Sequence, residues 1–344
     1  MSKTRDEGRA SRPSLADVGL LADVSAQTVS RYFNGTGYVS AEARERIGAA
    51  VERLGYRPDR NARSLRVNRS DTIGVLSVGP LNYGAATILA GLTEAARRAA
   101  FPLVISHLDV DVSQPSARRD VRTALDFFLS SRVDGLVVNT PFEGTEDLVD
   151  HVWDALPLVT LSGRPASAAD SATVDSYAAG VVATGHLVEL GHRRVLHLAG
   201  PTDRNEAFER ERGYRAALAD AGLEPLELVR GDWGAASGYA AGAAVDPDAF
   251  TAVFSGNDQM ALGFLSAMRA RGRVAPDDYS IVGIDDMPDA QFFEPPLSSV
   301  FLDFNRLGAE AFRMIHHQIR TGERLERLVI NPALVPRASS APLR

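Results

Sequence analysis

Beyond about residue 70 the chain settles into one repeating rhythm, and that rhythm restricts its fold more than any other feature. Short apolar runs of buried-strand type alternate with amphipathic stretches of helical length. The first series runs TIGVLSVG (Thr72–Gly79), AATILAGLTEAARRAA (Ala85–Ala100), PLVISHL, ARRDVRTALDFFLS, VDGLVVN and LPLVTLSG. A second series starts near Tyr177. It has a helix to Leu190, the strand RRVLHLAG, a helix around Ala207–Ala221 and a strand near Leu226–Arg230. A further helix, AVFSGN, another helix and SIVGID complete it. Strands alternating with helices in this way build parallel α/β sheets. Two series imply two similarly built subdomains, with a cleft at their interface suited to a ligand.

In open parallel sheets, ligands bind beyond the carboxyl ends of the strands. That rule selects Tyr83 after the first strand, Asn139 after GLVV and Ser162 after LPLVTL. It also selects Asn257-Asp258 after AVFSG and Asp285 after IVGI. Asn, Asp and Arg offer the planar hydrogen-bonding groups that pair with sugar hydroxyls. Trp offers a face for the C–H side of a sugar ring.

The first 70 residues differ from the rest. They carry 13 Lys+Arg against 8 Asp+Glu, a charge of +5, and the remainder carries 24 against 36, or −12. A basic head on an acidic body suits contact with a polyanion through the head alone. Within the head, SLADVGLL (Ser14–Leu21) opens on an N-cap residue, with Leu15, Val18 and Leu21 at helical spacing. After a break, SAQTVSRYFN starts on Ser25 and puts Val29 and Phe33 on one face. Two short helices and a tight turn make a helix-turn-helix, whose second helix enters the major groove N-terminal end first. Gln27 can then read adenine and Arg31 guanine. Ser25, Thr28, Ser30 and Asn34 suit phosphate contacts. A third helix, roughly Ala41–Leu54, completes the small core with Ile47, Val51 and Leu54.

The ordered pieces Val24-Ser25, Thr28-Val29-Ser30-Arg31, Asn34-Gly35, Val39-Ser40 and Leu54-Gly55-Tyr56 resemble the lactose-repressor/galactose-repressor family of bacterial transcription regulators. One departure falls at Asp23, where the family has Gly in the turn; Asp tolerates a left-handed backbone better than most residues. The resemblance implies a DNA-binding set of Ser25, Ala26, Gln27, Thr28, Ser30, Arg31, Asn34 and Tyr56. It also implies that RPDRNARSLRVNRS (Arg57–Ser70) holds a hinge helix folding on the operator. There Leu65 would wedge into the minor groove beside Asn61 and Ala62.

The likeness continues from about Thr72 to Arg337, as a core similar in fold to periplasmic sugar-binding proteins. It implies effector contacts at Arg210, Asn257, Asp285 and a sugar-stacking Trp233, alongside Tyr83, Asn139 and Ser162. Ser162 stands where the lactose repressor has Asp, and Leu302 replaces a polar cleft residue. The expected architecture is an α/β chain. Residues 1–57 form a three-helix head and 58–70 a hinge helix. The two-subdomain periplasmic-binding-protein-like core has parallel sheets, 71–170 with 301–330 and 171–300 with 331–344.

Other functions find little support. The chain has no cysteine, which excludes disulfides, Cys-zinc sites and thiol catalysis. No apolar run reaches membrane-spanning length, and the charged N-terminus lacks a signal-peptide pattern; a cytoplasmic protein is expected. HLVELGH (His186–His192) evokes a metal site, but nothing completes a zinc-protease pattern and Gly191 reads as a helix cap. There is no G-x-S-x-G elbow and no P-loop, and VGPLNYG lacks dinucleotide spacing. The expectation is therefore a regulator, not an enzyme, with no cofactor and no metal. LVPRASSAPLR adds no leucine heptad, so a homodimer is expected rather than a tetramer. Its partners would be double-stranded operator DNA and a small-molecule effector, with no membrane. A sugar, a galactoside among the candidates, fits that effector best. The alternatives are a purine- or metabolite-corepressed regulator and a cytoplasmic sugar-binding protein whose head is vestigial.

Overall fold

The computed structural model describes residues 13–57, 69–112, 114–140, 142, 146–149, 152, 155–161 and 171–343. Two compact units are present, Met1–Ser70 and Asp71–Arg344. The hinge positions Asn61, Ala62 and Leu65, and the cleft position Ser162, lie outside the described residues.

The first unit contains α1 (Leu15–Ala22), α2 (Ala26–Asn34) and α3 (Ala41–Leu54). Each begins on a serine whose hydroxyl accepts a backbone N–H of the first turn: Ser14 from Asp17, Ser25 from Thr28 and Ser40 from Ala43. Asp23 ends α1 with φ 51°, the left-handed conformation expected of that turn. The core gathers Val18, Ala22, Val29, Val39, Ala43, Ile47, Ala50 and Tyr56. A fully buried aliphatic such as Ile47 contributes about 1.5–3 kcal/mol. Leu21, expected on the core face, is instead exposed, and Ala22 takes its place. Gly19 allows this tight junction, because a β-carbon there would come within 2.8 Å of the Val24 carbonyl oxygen.

The second unit starts with β1 (Ile73–Val78), α4 (Tyr83–Arg98), β2 (Leu103–Leu108), α5 (Pro115–Ser130), β3 (Gly135–Asn139) and β4 (Leu158–Thr160). Their strands form one parallel sheet, ordered β2-β1-β3-β4. Then follow β5 (Ala172–Val174), α6 (Ser176–Glu189), β6 (Val195–Ala199), α7 (Asn205–Asp220) and β7 (Val229–Arg230). Next are α8 (Ala235–Ala244), β8 (Ala252–Ser255), α9 (Asp258–Ala270), β9 (Ser280–Asp285) and β10 (Ser298–Phe301). The unit closes with α10 (Phe304–Thr321), β11 (Leu328–Ile330) and β12 (Ala333–Val335). The second sheet runs β12-β10-β9-β8-β6-β7, parallel except for β12. β1, β3, β6, β8 and β9 are buried throughout, as central parallel strands should be.

One feature was not anticipated: a short ribbon pairs β5 with β11. α10, late in the sequence, packs against α4 beside the first sheet. That pair, α6 with α7, and α8 with α9 all cross at reciprocal glycines. β-Carbons built on Gly91 and Gly308, Gly180 and Gly213, or Gly238 and Gly263 would overlap carbonyl oxygens of the facing helix. Helix axes this close leave no room for a methyl group.

The HLVELGH stretch proves structural. His186 bonds the Ser340 hydroxyl at 2.9 Å, and His192 bonds Ser280 and the Ala341 carbonyl. Gly191 follows α6 with φ 92°. His192 therefore ties the C-terminal segment to the second sheet, and His186 ties it to α6.

Candidate functional site

In the head, the N-terminal end of α2 presents its polar side outward. Ser25, Ala26, Gln27 and Arg31 are exposed, while Thr28, Ser30 and Asn34 are half-buried. Val29 on the opposite side is fully buried, so the helix cannot rotate without losing its core anchor. The hydroxyls of Ser25 and Thr28 bond each other at 2.9 Å, and Asn34 Nδ2 donates to Ser30 Oγ at 3.1 Å. These bonds hold the polar row in order along the helix. Unpaired N–H groups at a helix N-terminus attract a phosphate. Tyr56 departs from the expected set: its ring lies in the head core, 5.6 Å from Phe33. It shapes the head from within rather than presenting a face to a groove.

In the second unit, a cavity of about 510 Å³ is lined by residues from both sheets. It receives Asn139 from the end of β3, Arg210 from α7, Trp233 from before α8, Asn257 from the cap of α9 and Asp285 from the end of β9. Sequence separation is large, yet Asn139, Asn257 and Asp285, selected by the strand-end rule, meet Arg210 and Trp233, which the resemblance implied. Tyr83 is not among the lining residues. It turns toward Phe304, with ring centroids 6.4 Å apart, while its neighbours Asn82 and Gly84 line the cavity. Leu302 is buried in the core.

Each side chain has a definite constraint. Arg210 donates to the Gly256 carbonyl at 2.6 Å and lies 3.7 Å from Asp285. Its guanidinium also sits 5.3 Å from the centroid of the Trp233 ring. Asn257 Oδ1 accepts the Met260 N–H and its Nδ2 donates to the Trp233 carbonyl, at 2.9 and 3.0 Å. That leaves one N–H and one lone pair for a ligand. Trp233 is only 4% exposed. Its ring is pressed against Gly200 and Gly256, so the stacking face expected of it is largely covered. Burial pushes the Asp285 carboxyl up to about 7 against the pull of Arg210, with Glu206 adding to the rise. Burial likewise raises Glu206, while Arg204 and Arg210 draw it down.

The sequence reading missed Arg204. It is 4% exposed and lines the cavity, with its guanidinium 4.0 Å over the Phe142 ring and Nη1 without a hydrogen-bond partner among the described residues. Arg204 also forms a β-bridge with Phe142, a contact between the two halves of this unit. The same strand-end rule would have found it, since it follows β6 in AGPTDRN. Among the described residues, no group of His, Asp and Glu could hold a metal ion, and no helix is long and apolar enough to cross a membrane.

Known proteins share both parts. Residues 14–59 match the bacterial regulatory proteins of the lacI family, and residues 184–340 match a periplasmic binding protein-like domain. The HTH-type transcriptional regulator CelR of Thermobifida fusca is 34% identical, across 96% of this chain and 99% of its own length. The HTH-type transcriptional repressor PurR of Haemophilus influenzae is 30% identical, across 95% and 98%. The lac repressor dimer bound to operator and the anti-inducer ONPF superposes with a TM-score of 0.86 at 29% identity, covering 96% of this chain and 99% of that one. The complex of the transcriptional regulator CelR with cellobiose gives 0.70 at 31%, covering 96% and 100%.

Proposed function

Because this chain belongs to the lacI family of bacterial regulatory proteins, we propose that it is a ligand-responsive transcriptional repressor acting as a homodimer. Two heads read the halves of a near-palindromic operator, with α2 in the major groove. Residues 58–70 act as the hinge, and Leu65 wedges into the minor groove with Asn61 and Ala62 beside it. A small molecule in the cavity changes the angle between the two halves of the core and so the spacing of the hinges. Its leverage is its differential affinity for the two arrangements, about 1–3 kcal/mol of coupling.

One observation carries this reading: Asn139, Arg210, Trp233, Asn257 and Asp285 line one cavity in a chain that also exposes Gln27 and Arg31 on a capped helix. For the effector, a neutral polyhydroxyl compound fits best. Arg210 and Asp285 offer a donor and an acceptor side by side. The relative in complex with cellobiose supports a sugar. A purine base is the second reading. The similarity to PurR favours it, as does Arg204 Nη1, which has no hydrogen-bond partner among the described residues.

A thermal-shift screen with cellobiose, lactose, galactose, hypoxanthine and guanine separates the two. A ligand at 100 times its Kd adds about 2.7 kcal/mol, a shift of about 5 °C or more for a core of this size. Stabilisation by a purine and by no sugar overturns the sugar assignment. A gel shift with DNA flanking the gene tests the head, and absence of any retarded band at low salt reduces the protein to a ligand binder. Arg31→Ala is expected to lose about 1–3 kcal/mol of discrimination at one base position. An equal loss on all sequences would make Arg31 a phosphate contact.

A further inference from the structure

Asp285 can serve the cavity only while its backbone holds an unfavourable shape. Asp285 has φ 110° and Asp286 φ 49°, two successive non-glycine residues in the left-handed half of conformational space. Something must hold this turn, and the structure shows what does. Asp258, fully buried at the first position of α9, accepts the Met287 N–H at 2.9 Å through one carboxylate oxygen. Its other oxygen accepts the Ser299 hydroxyl at 2.6 Å. That same hydroxyl oxygen accepts the Asp286 N–H at 3.0 Å. Two consecutive amides of the strained turn thus end on one carboxylate, one directly and one through Ser299. Gly283 makes room for it, since a β-carbon there would overlap Asp258 Oδ1. On the outer side, Arg337 braces the turn through Asp286 and the Leu297 carbonyl, at 2.6 and 2.8 Å.

We infer that Asp258, acting through Ser299, is the positioning residue of the cavity: it holds the turn Asp285–Met287 so that the Asp285 carboxylate faces Arg210 and the ligand space. Asp258 is not on the cavity wall. Its role in binding is therefore indirect, and it rests on the reading of that cavity as the effector site. The placement of Asp285 is a separate matter, and it can be measured with neither effector nor DNA.

The charged groups around Asp285 are Arg210 and Glu206, with Asp258 and Asp286 behind it and Asp286 paired to Arg337. Arg210 links Asp285 to Trp233, so Trp233 emission reports the charge of Asp285. The chain has two tryptophans; a Trp153→Phe parent leaves Trp233 as the sole reporter. Its emission should change with pH around a midpoint near 7, and Asp285→Asn should abolish that change. Asp258→Asn can keep the brace by turning its Oδ1 to the Met287 N–H and donating its amide to Ser299, so Asp258→Ala, which removes both acceptors, is the test. Asp258→Ala should free the turn, let Asp285 reach water and move the midpoint down by at least one pH unit, a tenfold change in acid constant. Ser299→Ala removes no charge, so a smaller shift in the same direction separates positioning from a field effect. Ser299→Thr, which keeps the hydroxyl, should restore the parent midpoint. Hydrogen exchange of the Asp286 and Met287 amides should speed up in Asp258→Ala and Ser299→Ala alone.

The inference is overturned if Asp258→Ala or Ser299→Ala folds and keeps the parent midpoint. A parent whose emission has no midpoint that depends on Asp285 overturns it too, because Asp285 is then not held beside Arg210. Failure of the effector screen with these shifts intact would instead count against the cavity's assignment.

Discussion

Replacing Arg210 by alanine should abolish the response to effector while leaving operator binding in place. Arg210 is buried, donates to the Gly256 carbonyl and faces Asp285 across 3.7 Å. Removing one member of a buried, hydrogen-bonded charge pair costs about 2–5 kcal/mol, much of it from the charge left behind. Asp285 already sits near 7 because of burial; without the neighbouring cation its neutral form is favoured further. The ligand loses both a donor and the charged acceptor beside it. Effector affinity should fall by a factor of about 30 or more, the equivalent of the lower end of that range. The head is a separate compact unit, so the mutant should bind operator as the parent does and not respond to the ligand. Titration calorimetry with the ligand found in the screen, paired with a gel shift, checks both halves. Effector affinity within threefold of the parent would remove Arg210 from the site.

A second large effect should come from a single methyl group. Gly263→Ala places a β-carbon on the Ala235 carbonyl oxygen where α8 crosses α9. Overpacking of this kind costs about 1–3 kcal/mol and occasionally more. Within a helix, alanine should otherwise gain nearly 1 kcal/mol over glycine. The steric term wins here because the obstacle is backbone, which cannot rotate aside. Gly185→Ala in α6 is the matched control: nothing lies within 4 Å of its added β-carbon, so only the helix gain remains. The two substitutions should move the melting temperature in opposite directions, with Gly263→Ala lower by about 5 °C, at about 2–4 °C per kcal/mol. Scanning calorimetry decides, and equal melting of both variants would contradict the close crossing.

Much of the fold could be read from the sequence because its signals are local. Serines 14, 25 and 40 announce three helix starts, and α3 spans the stretch its apolar spacing marks. Asp23 adopts the left-handed turn that its residue type allows. The three-residue strands β5, β11 and β12 carried no readable period, since alternation needs more positions than they have. At the site, the resemblance supplied Arg210, and the strand-end rule gathered Asn139, Asn257 and Asp285, because topology puts those ends together. It misplaced Tyr83, whose ring finds Phe304 instead. The resemblance overstated the open face of Trp233, because Gly200 and Gly256, which cover it, lie far from it in the chain. Tyr56 misled for a related reason: an aromatic beside a polar helix reads the same whether it faces solvent or packs on Phe33.

The path of the backbone through the core has a last implication. After β4 the chain leaves the first sheet for the second, returns after β10 to lay α10 against α4, and departs again to add β12 beside β10. No single cut divides such a molecule into two self-sufficient lobes, for each borrows a segment from the far side of the other. Three stitches between them make swivelling cheaper than parting, and a swivel is the kind of motion a small guest can bias.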